Sequence, residues 1–255
     1  MTSTAMNELQ ELAVPALPTG THLRVLEAAL HLFARNGYNA TGIREIATHS
    51  GLTSSTLYHY AGTKDQLLAQ ILSDSLERYT IASEFLNEHC DDPAELLAHL
   101  VWLHVVTHAI QRDSALVGDT EIDNLGPADR ERVVAQRDHY ERIWQDAIRR
   151  GVASGSFTVR DERIVRLALL ETCTSVSHWF SRDGELSAAE VADRFIDIAF
   201  AMLRHEANAT EIPTGEDHLA GALVSRVWGI SADEYTGRAA PAGTTTTHPD
   251  ATSAH

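Results

Sequence analysis

A chain of 255 residues with 44% hydrophobic side chains can bury a substantial core, and its length fits one small unit plus one larger helical body. The net charge of −16 argues against general coating of nucleic acid, no apolar run reaches the ~18 residues that span a membrane, and two cysteines are too few for a disulfide framework.

Residues 1–20, MTSTAMNELQELAVPALPTG, hold two prolines and a mixed polar run and read as a disordered tail. They lack the basic n-region of a signal peptide, so a cytoplasmic protein with no membrane partner is expected. Residues 21–66 read as a small helical unit. Within it Ile43, Ile46 and Ala47 form an apolar stripe at helical spacing, with Thr41 or Gly42 as cap. Gly51 permits the left-handed backbone of a sharp turn, after which Leu52 is expected to pack inward. Thr53 is a good N-cap for a helix starting at Ser54, in which Leu57 and Tyr60 are expected to face the core. Ser54, Ser55, Thr56, Tyr58 and His59 are left outside, and their hydroxyls and imidazole suit phosphate oxygens and base edges. Two short helices joined by a glycine turn form the helix-turn-helix, whose second helix lies in the DNA major groove. Across residues 21–64 Arg24, Arg35, Arg44 and Lys64 stand against only Glu27 and Glu45, so this stretch carries a local positive excess in an acidic chain. Salt-sensitive, specific binding of double-stranded operator DNA follows.

Residues 67–206 read as a helical bundle. A helix from Lys64 to about Leu86 links the two units. Pro93 opens a helix apolar nearly all round, from Leu96 to Ile110, which belongs in the middle of a bundle. A looser stretch from Gly118 to Gly126 precedes Pro127. Pro127 starts a long amphipathic helix through Val133, Tyr140, Ile143, Trp144 and Ile148 that is expected to end at Gly151. Two further helices are expected over about 161–182 and 187–206. Ile164, Leu167 and Ala168 on the first, and Phe195, Ala199 and Phe200 on the second, are more apolar than one inner face requires. They point to a homodimer interface. Residues 207–235 form an appended segment with one extra helix from about Asp217 to Ile230, and residues 236–255 are a low-complexity tail. The fold class is all-α: an N-terminal three-helix helix-turn-helix domain and a C-terminal helical-bundle domain for effector binding and dimerisation.

The run Ala47, Gly51-Leu52-Thr53, Thr56-Leu57-Tyr58-His59-Tyr60, Lys64, Leu67-Leu68 resembles the TetR-family signature, and Val25 to Ala34 with Gly37-Tyr38 resembles that family's first helix. The resemblance implies a transcriptional regulator in which Thr41, Thr53, Ser55, Tyr58 and Lys64 hold phosphates while Arg44, Ser54, Thr56 and His59 approach bases. Ser54 and Ser55 stand where many relatives carry a Lys or Arg, which shifts base readout toward Arg44. Arg137 to Trp144, Gly151, Gly155 to Phe157 and Ser177 to Phe180 resemble the repressors of fatty-acid and steroid breakdown that respond to acyl-CoA thioesters. That resemblance implies a repressor of a palindromic operator, released by a small hydrophobic effector. Such a ligand needs an apolar tunnel, for which Leu103, Thr107, Trp144, Thr172 and Val176 are candidates, and cations for phosphates, for which Arg112, Arg137 and Arg142 are candidates. The alternative is a drug-like or metal effector.

No cofactor and no metal are expected. His104 and His108, four apart on one helix, have the spacing of two metal ligands, with His178 or Glu171 as a third. The plainer reading is a pair of hydrogen-bonded core histidines, or polar contacts to an effector. No P-loop, GxGxxG, GxSxG or complete metal-hydrolase motif occurs, so no enzyme is expected. A helical enzyme or a scaffold without DNA binding is the remote alternative.

Overall fold

Helical periodicity governs the described part of the chain. The computed structural model describes residues 3–205 and 218–237, and among these there is no strand. The helices are α1 (Ser3–Glu11), α2 (Gly20–Asn36), α3 (Ile43–His49), α4 (Ser54–Ala61), α5 (Lys64–His89), α6 (Pro93–Ile110), α7 (Arg112–Thr120), α8 (Pro127–Ser154), α9 (Glu162–Thr174), α10 (Val176–Trp179), α11 (Ala188–Leu203), α12 (Leu219–Trp228) and α13 (Ala232–Thr236), with a 3-10 turn over Ile122–Asn124. None is long and apolar enough to cross a membrane.

Two cores follow from this pattern. The smaller one gathers Ala29 and Phe33 of α2, Ile46 of α3, Leu57 of α4 and Leu67 and Leu68 of α5. It continues into Val117 of α7 and Val133 of α8. The reading unit is thus seated on the body through α7 as well as tethered by α5. The larger core surrounds α6, which is buried over nearly its whole length. Asp92 caps α6 by accepting from Ala94 N–H at 3.1 Å, and Pro93 occupies the first turn, where its missing N–H costs nothing.

Several expectations are corrected. The stretch 1–20 carries α1, whose Ala5 and Leu9 lie one turn apart and are buried against the body beside α12. Arg226 of α12 reaches the carbonyls of Gln10 and Leu12, and Arg78 of α5 donates to the carbonyls of Pro15, Ala16 and Val227. The partner that orders this segment lies some two hundred residues away. The loose stretch before Pro127 is largely α7 and the 3-10 turn, and the expected long helix over 161–182 is broken after Thr174. The expected extra helix after 217 is α12. The expected tail lies, from 238 onward, outside the described residues.

Helix α8 does not stop at Gly151. It runs to Ser154 and ends at Gly155, which takes the left-handed conformation (φ 82°). Gly151 is there for a close approach: a Cβ would lie 2.0 Å from the Phe157 ring, which is itself 2% exposed. Replacing Gly151 with Ala is expected to destabilise the protein by about 1–3 kcal/mol, the usual cost of overpacking. Chemical denaturation measures it, and an unchanged midpoint would show that Phe157 can move aside.

Candidate nucleic-acid interface and ligand cavity

The turn between α3 and α4 is built by backbone hydrogen bonds. Leu52 N–H bonds to Ala47 C=O at 2.8 Å and Gly51 N–H to Thr48 C=O at 3.1 Å, a Schellman closure with Gly51 at φ 70°. Thr53 then caps α4 by accepting from Thr56 N–H at 3.2 Å, and its hydroxyl lies 2.8 Å from that of Thr56. Leu57 and Ala61 turn inward and fix the face of α4. Tyr60 does not follow Leu57 into the core. With Ala61 completing the inner stripe at i+4, Tyr60 falls on the outer side, 49% exposed, beside Tyr58 at 51%. Ser55 and His59 are exposed as well, Ser54 and Thr56 half-buried, and Arg44 projects from the exposed side of α3.

Two expected phosphate contacts have other employment. Thr41 is buried, and its hydroxyl is shared between the carbonyls of Leu32 and Gly37. Lys64 donates to the carbonyls of Tyr38 at 2.9 Å and Thr41 at 3.0 Å, and its ammonium lies 4.0 Å from the centroid of the Tyr38 ring. The Tyr38 phenol donates to Asp65, and burial and that carboxylate hold it above its usual pKa. Lys64, Tyr38 and Thr41 therefore knot the loop after α2 to the first turn of α5. The other named residues, Arg44 of α3, Thr53 of the turn and Ser54, Ser55, Thr56, Tyr58 and His59 of α4, are exposed or half-buried.

A cavity of ≈150 Å³ opens among α5, α6, α7, α8 and α9. Its floor is a polar network, and its walls mix Leu72, Leu76, Ile122 and Leu170 with Asp119, Arg137, Glu141 and Glu171. Tyr79 O–H lies 3.0 Å from the Thr107 hydroxyl and 3.1 Å from His108 Nδ1, while His104 lies 2.8 Å from the Tyr140 hydroxyl and 3.0 Å from that of Thr174. The two imidazoles stack with centroids 3.8 Å apart. Both nitrogens of His104 are occupied, so the pair is a hydrogen-bonded element of the floor. Neither suggested third ligand joins it: His178 stands beside Asp119, and Glu171 sits with Asp119, Glu141 and Arg137 around the lining. Burial lowers both imidazole pKa values, His104 well below 6.5 and His108 to about 4.

None of the proposed tunnel residues lines the cavity. Leu103, Thr107, Trp144 and Val176 are packed core, and Thr172 bonds its own helix at Ala168 C=O. Of the three arginines only Arg137 lines the cavity. Arg142 lies in an adjoining cleft between α8 and α9 with Arg160, Arg163 and Arg166, and Arg112 is turned away to Ser177 C=O. Sequence reading missed Tyr79, Tyr140 and Thr174, because a tyrosine at a helical apolar position reads as core. The i, i+4 histidines were the signal available.

The expected dimer residues also divide. Ile164 (59%) and Leu167 (38%) are exposed, whereas Phe195, Ala199 and Phe200 are buried in their own protomer. The surplus apolar surface of α11 is covered by α6 and by α13 from the same chain. On α9, α10 and α11 the exposed large apolar side chains are Ile164, Leu167, Trp179 and Ile198.

Two outcomes follow. Tyr58→Phe is expected to weaken operator binding by the value of one phosphate hydrogen bond, about 1 kcal/mol, with unchanged melting, whereas Lys64→Met lowers the melting temperature by loosening the knot. Affinity and melting measured side by side separate the two, and unaltered affinity for Tyr58→Phe removes that residue from the interface. The buried imidazoles of His104 and His108 contribute to the acid response beside that of His218, whose pKa burial lowers to about 3. Their folded pKa values lie below the unfolded 6.5, so the unfolded chain binds more protons and stability is lost as pH falls from about 6.5 toward about 4. The slope approaches about 1.4 kcal/mol per pH unit for each histidine. Denaturation midpoints across that window measure it, and His108→Gln should flatten the curve.

Comparison with known proteins agrees with this geometry. The family description "Bacterial regulatory proteins, tetR family" matches residues 25–71, and "Tetracyclin repressor-like, C-terminal domain" matches residues 90–203. The HTH-type transcriptional repressor KstR2 of Mycolicibacterium smegmatis is 26% identical over 186 residues, 72% of this chain and 91% of the relative. The solved structure of the TetR-family transcriptional regulator PfmR from Thermus thermophilus is 31% identical, covering 72% of this chain and all of that one, with a TM-score of 0.64. AibR, solved in complex with isovaleryl coenzyme A and operator DNA, has a TM-score of 0.63 at 22% identity, covering 70% of this chain and 97% of its own. With a reading head whose turn, cap and exposed face follow from its own sequence, and a helical body matched beside it, this chain belongs to the TetR family of transcriptional regulators.

Proposed function

We propose that the protein is a homodimeric repressor of a palindromic operator, released when a small hydrophobic acyl group, carried as its CoA thioester, enters the cavity. The observation that carries this reading is where the cavity lies. Leu72, Leu76 and Tyr79 of α5 form one wall and Ser114, Ala115 and Gly118 of α7 another. Helix α5 begins at the reading unit, and α7 packs on α2, with His31 3.3 Å from Asp113. A ligand between α5 and α7 presses on both connections to the reading unit at once.

The cavity is about the size that accepts one benzene-sized group. A short or single-ring acyl group fits its floor, the hydroxyls of Tyr79 and Tyr140 can reach a thioester carbonyl, and phosphates would be met by Arg142, Arg160 and Arg163 of the adjoining cleft, where Asp138, Glu141, Asp161 and Glu162 also stand and Arg166 pairs with Glu141. The KstR2 and AibR resemblances support a CoA-linked effector. Arg44 and the exposed side of α4 would enter adjacent major grooves of two half-sites about 34–36 Å apart, or a multiple of that spacing. Ile164, Leu167, Trp179 and Ile198 would form the two-fold interface. A second reading, a cationic aromatic ligand, is favoured by the carboxylates of Asp119, Glu141 and Glu171 along the cavity lining.

A ligand shifts the DNA-competent population only by its differential affinity, and linkage makes operator DNA weaken ligand binding by the same factor. Calorimetric titration with acyl-CoAs, the matching free acids and cationic aromatics, with and without operator, tests the reading. Short-chain acyl-CoAs are expected to bind best, and less tightly when operator is present. Equal binding of free acids overturns the arginine–phosphate part, and binding of the cations alone selects the second reading. Sedimentation of the protein as a monomer at micromolar concentration overturns the dimer.

A further inference from the structure

The corner where α5 gives way to α6 gathers three unlike donor groups. Cys90 follows the last turn of α5, Glu95 lies in the first turn of α6, and His99 stands one turn further on. The Cys90 sulfur, a Glu95 carboxylate oxygen and a His99 ring nitrogen all lie within 4.8 Å of one another, and no other three such groups do so among the described residues. Cys90 and His99 are 3% and 4% exposed, whereas the Glu95 side chain is 44% exposed, so the cluster has a dry back and one wet face. His99 Nε2 is 3.7 Å from Glu95 Oε1. That is longer than a direct hydrogen bond and close to the roughly 3.4 Å between two ligands of one tetrahedral zinc ion.

The three groups are held in place by their surroundings. Glu95 and His99 are four apart on one face of a helix whose start is fixed by the Asp92 cap. Arg150 of α8 donates to the carbonyls of Cys90 at 3.3 Å and Asp91 at 2.7 Å and pins the corner. The His218 ring stacks over that of His99 at 5.5 Å and 18°. Its Nδ1 accepts from the N–H groups of Ala220 and Gly221, so His218 braces the His99 ring through its face. The neighbouring charges are Asp91, Asp92 and the guanidinium of Arg150.

We propose that Cys90, Glu95 and His99 bind one Zn2+ as thiolate, carboxylate and imidazole, with water at a fourth position on the Glu95 side. A thiolate and an imidazole select zinc over calcium and magnesium, which take oxygen donors. The bound ion ties the end of α5 to the start of α6, away from the ligand cavity and from the outer face of α4, and binding releases the thiol proton to solvent. No oxidation or reduction is involved.

The full chain, stripped of metal, is titrated with Co2+ as a spectroscopic probe and then with Zn2+. One Co2+ per protomer with a thiolate-to-cobalt charge-transfer band is expected, displaced by Zn2+. The band is lost in Cys90→Ser and kept in Cys173→Ser, whose thiol is buried elsewhere in the body core. Glu95→Gln and His99→Gln are expected to weaken binding by at least the ~10–100-fold typical of changes outside the ligand set. Zinc raises the melting temperature of the wild type and not of Cys90→Ser. Absence of the band, or its persistence in Cys90→Ser, overturns the proposal. If Cys90→Ser does not fold, unchanged cobalt affinity in the half-exposed variant Glu95→Gln overturns it equally.

Discussion

The burial of α6 is the constraint on which the rest of the body depends. A helix enclosed on all sides satisfies its polar side chains mainly from neighbours, since water cannot reach it, and on α6 the Trp102 indole N–H is left without a partner. His104, Thr107 and His108 sit in its second half, and their partners arrive from three other helices: Tyr79 from α5, Tyr140 from α8 and Thr174 from α9. Each of those helices is thereby fixed in rotation as well as in distance. An all-aliphatic α6 would bury as well but would leave sliding and rotation of the surrounding helices less determined. The same network floors the cavity, so the groups that specify the packing also give the cavity its polarity.

That arrangement couples the body to the reading unit. Helix α5 runs for 26 residues, about 39 Å, from the Lys64 knot to the corner at Cys90. Its first turn belongs to the smaller core and its later turns to the larger one, so one rigid rod is shared by both. The Lys64 knot makes the connection stiff by committing a full positive charge to backbone carbonyls next to the tyrosine ring. A flexible hinge at that point would absorb any displacement of α5. A stiff one transmits it to α2 and, through the shared core, to α4. Helix α7 supplies a second seat, because Val117 lies in the smaller core while its other face lines the cavity.

The segment from α1 to α2 and helix α12 wrap the same region of the body. Arg78 and Arg226 both satisfy themselves on carbonyls of the segment after α1, and α12 packs on α5 and α6. The clasp they form, the segment before α2 with helix α12, lies outside the matched stretches at 25–71 and 90–203. It covers apolar surface of α6 and places His218 against His99, which links the clasp to the corner at Cys90.

Local interactions made the reading unit legible. A left-handed glycine, a threonine cap three residues ahead of the amide it accepts from, and an inward leucine are each decided within a few residues, and all stand where the chain alone indicates. The all-helical class and the central place of α6 were equally readable, because periodicity and an unbroken apolar surface need no partner to be recognised. What the sequence could not contain was the identity of long-range partners. Tyr60 against Ala61 as the inner residue of α4 turned on a rotation set by the core. Lys64 and Thr41 look like free polar groups until the fold brings the loop after α2 across them. Phe195 and Phe200 show a surplus of apolar surface, but only the packing of α11 on α6 and α13, with Trp179 beside Phe195 and His205 beside Phe200, decides that their own chain covers it. The segment before α2 reads as a tail because Ala5 and Leu9 bury against residues some two hundred positions away. Local backbone chemistry determined the elements and their caps, and tertiary packing alone decided which polar groups remain free to meet a ligand.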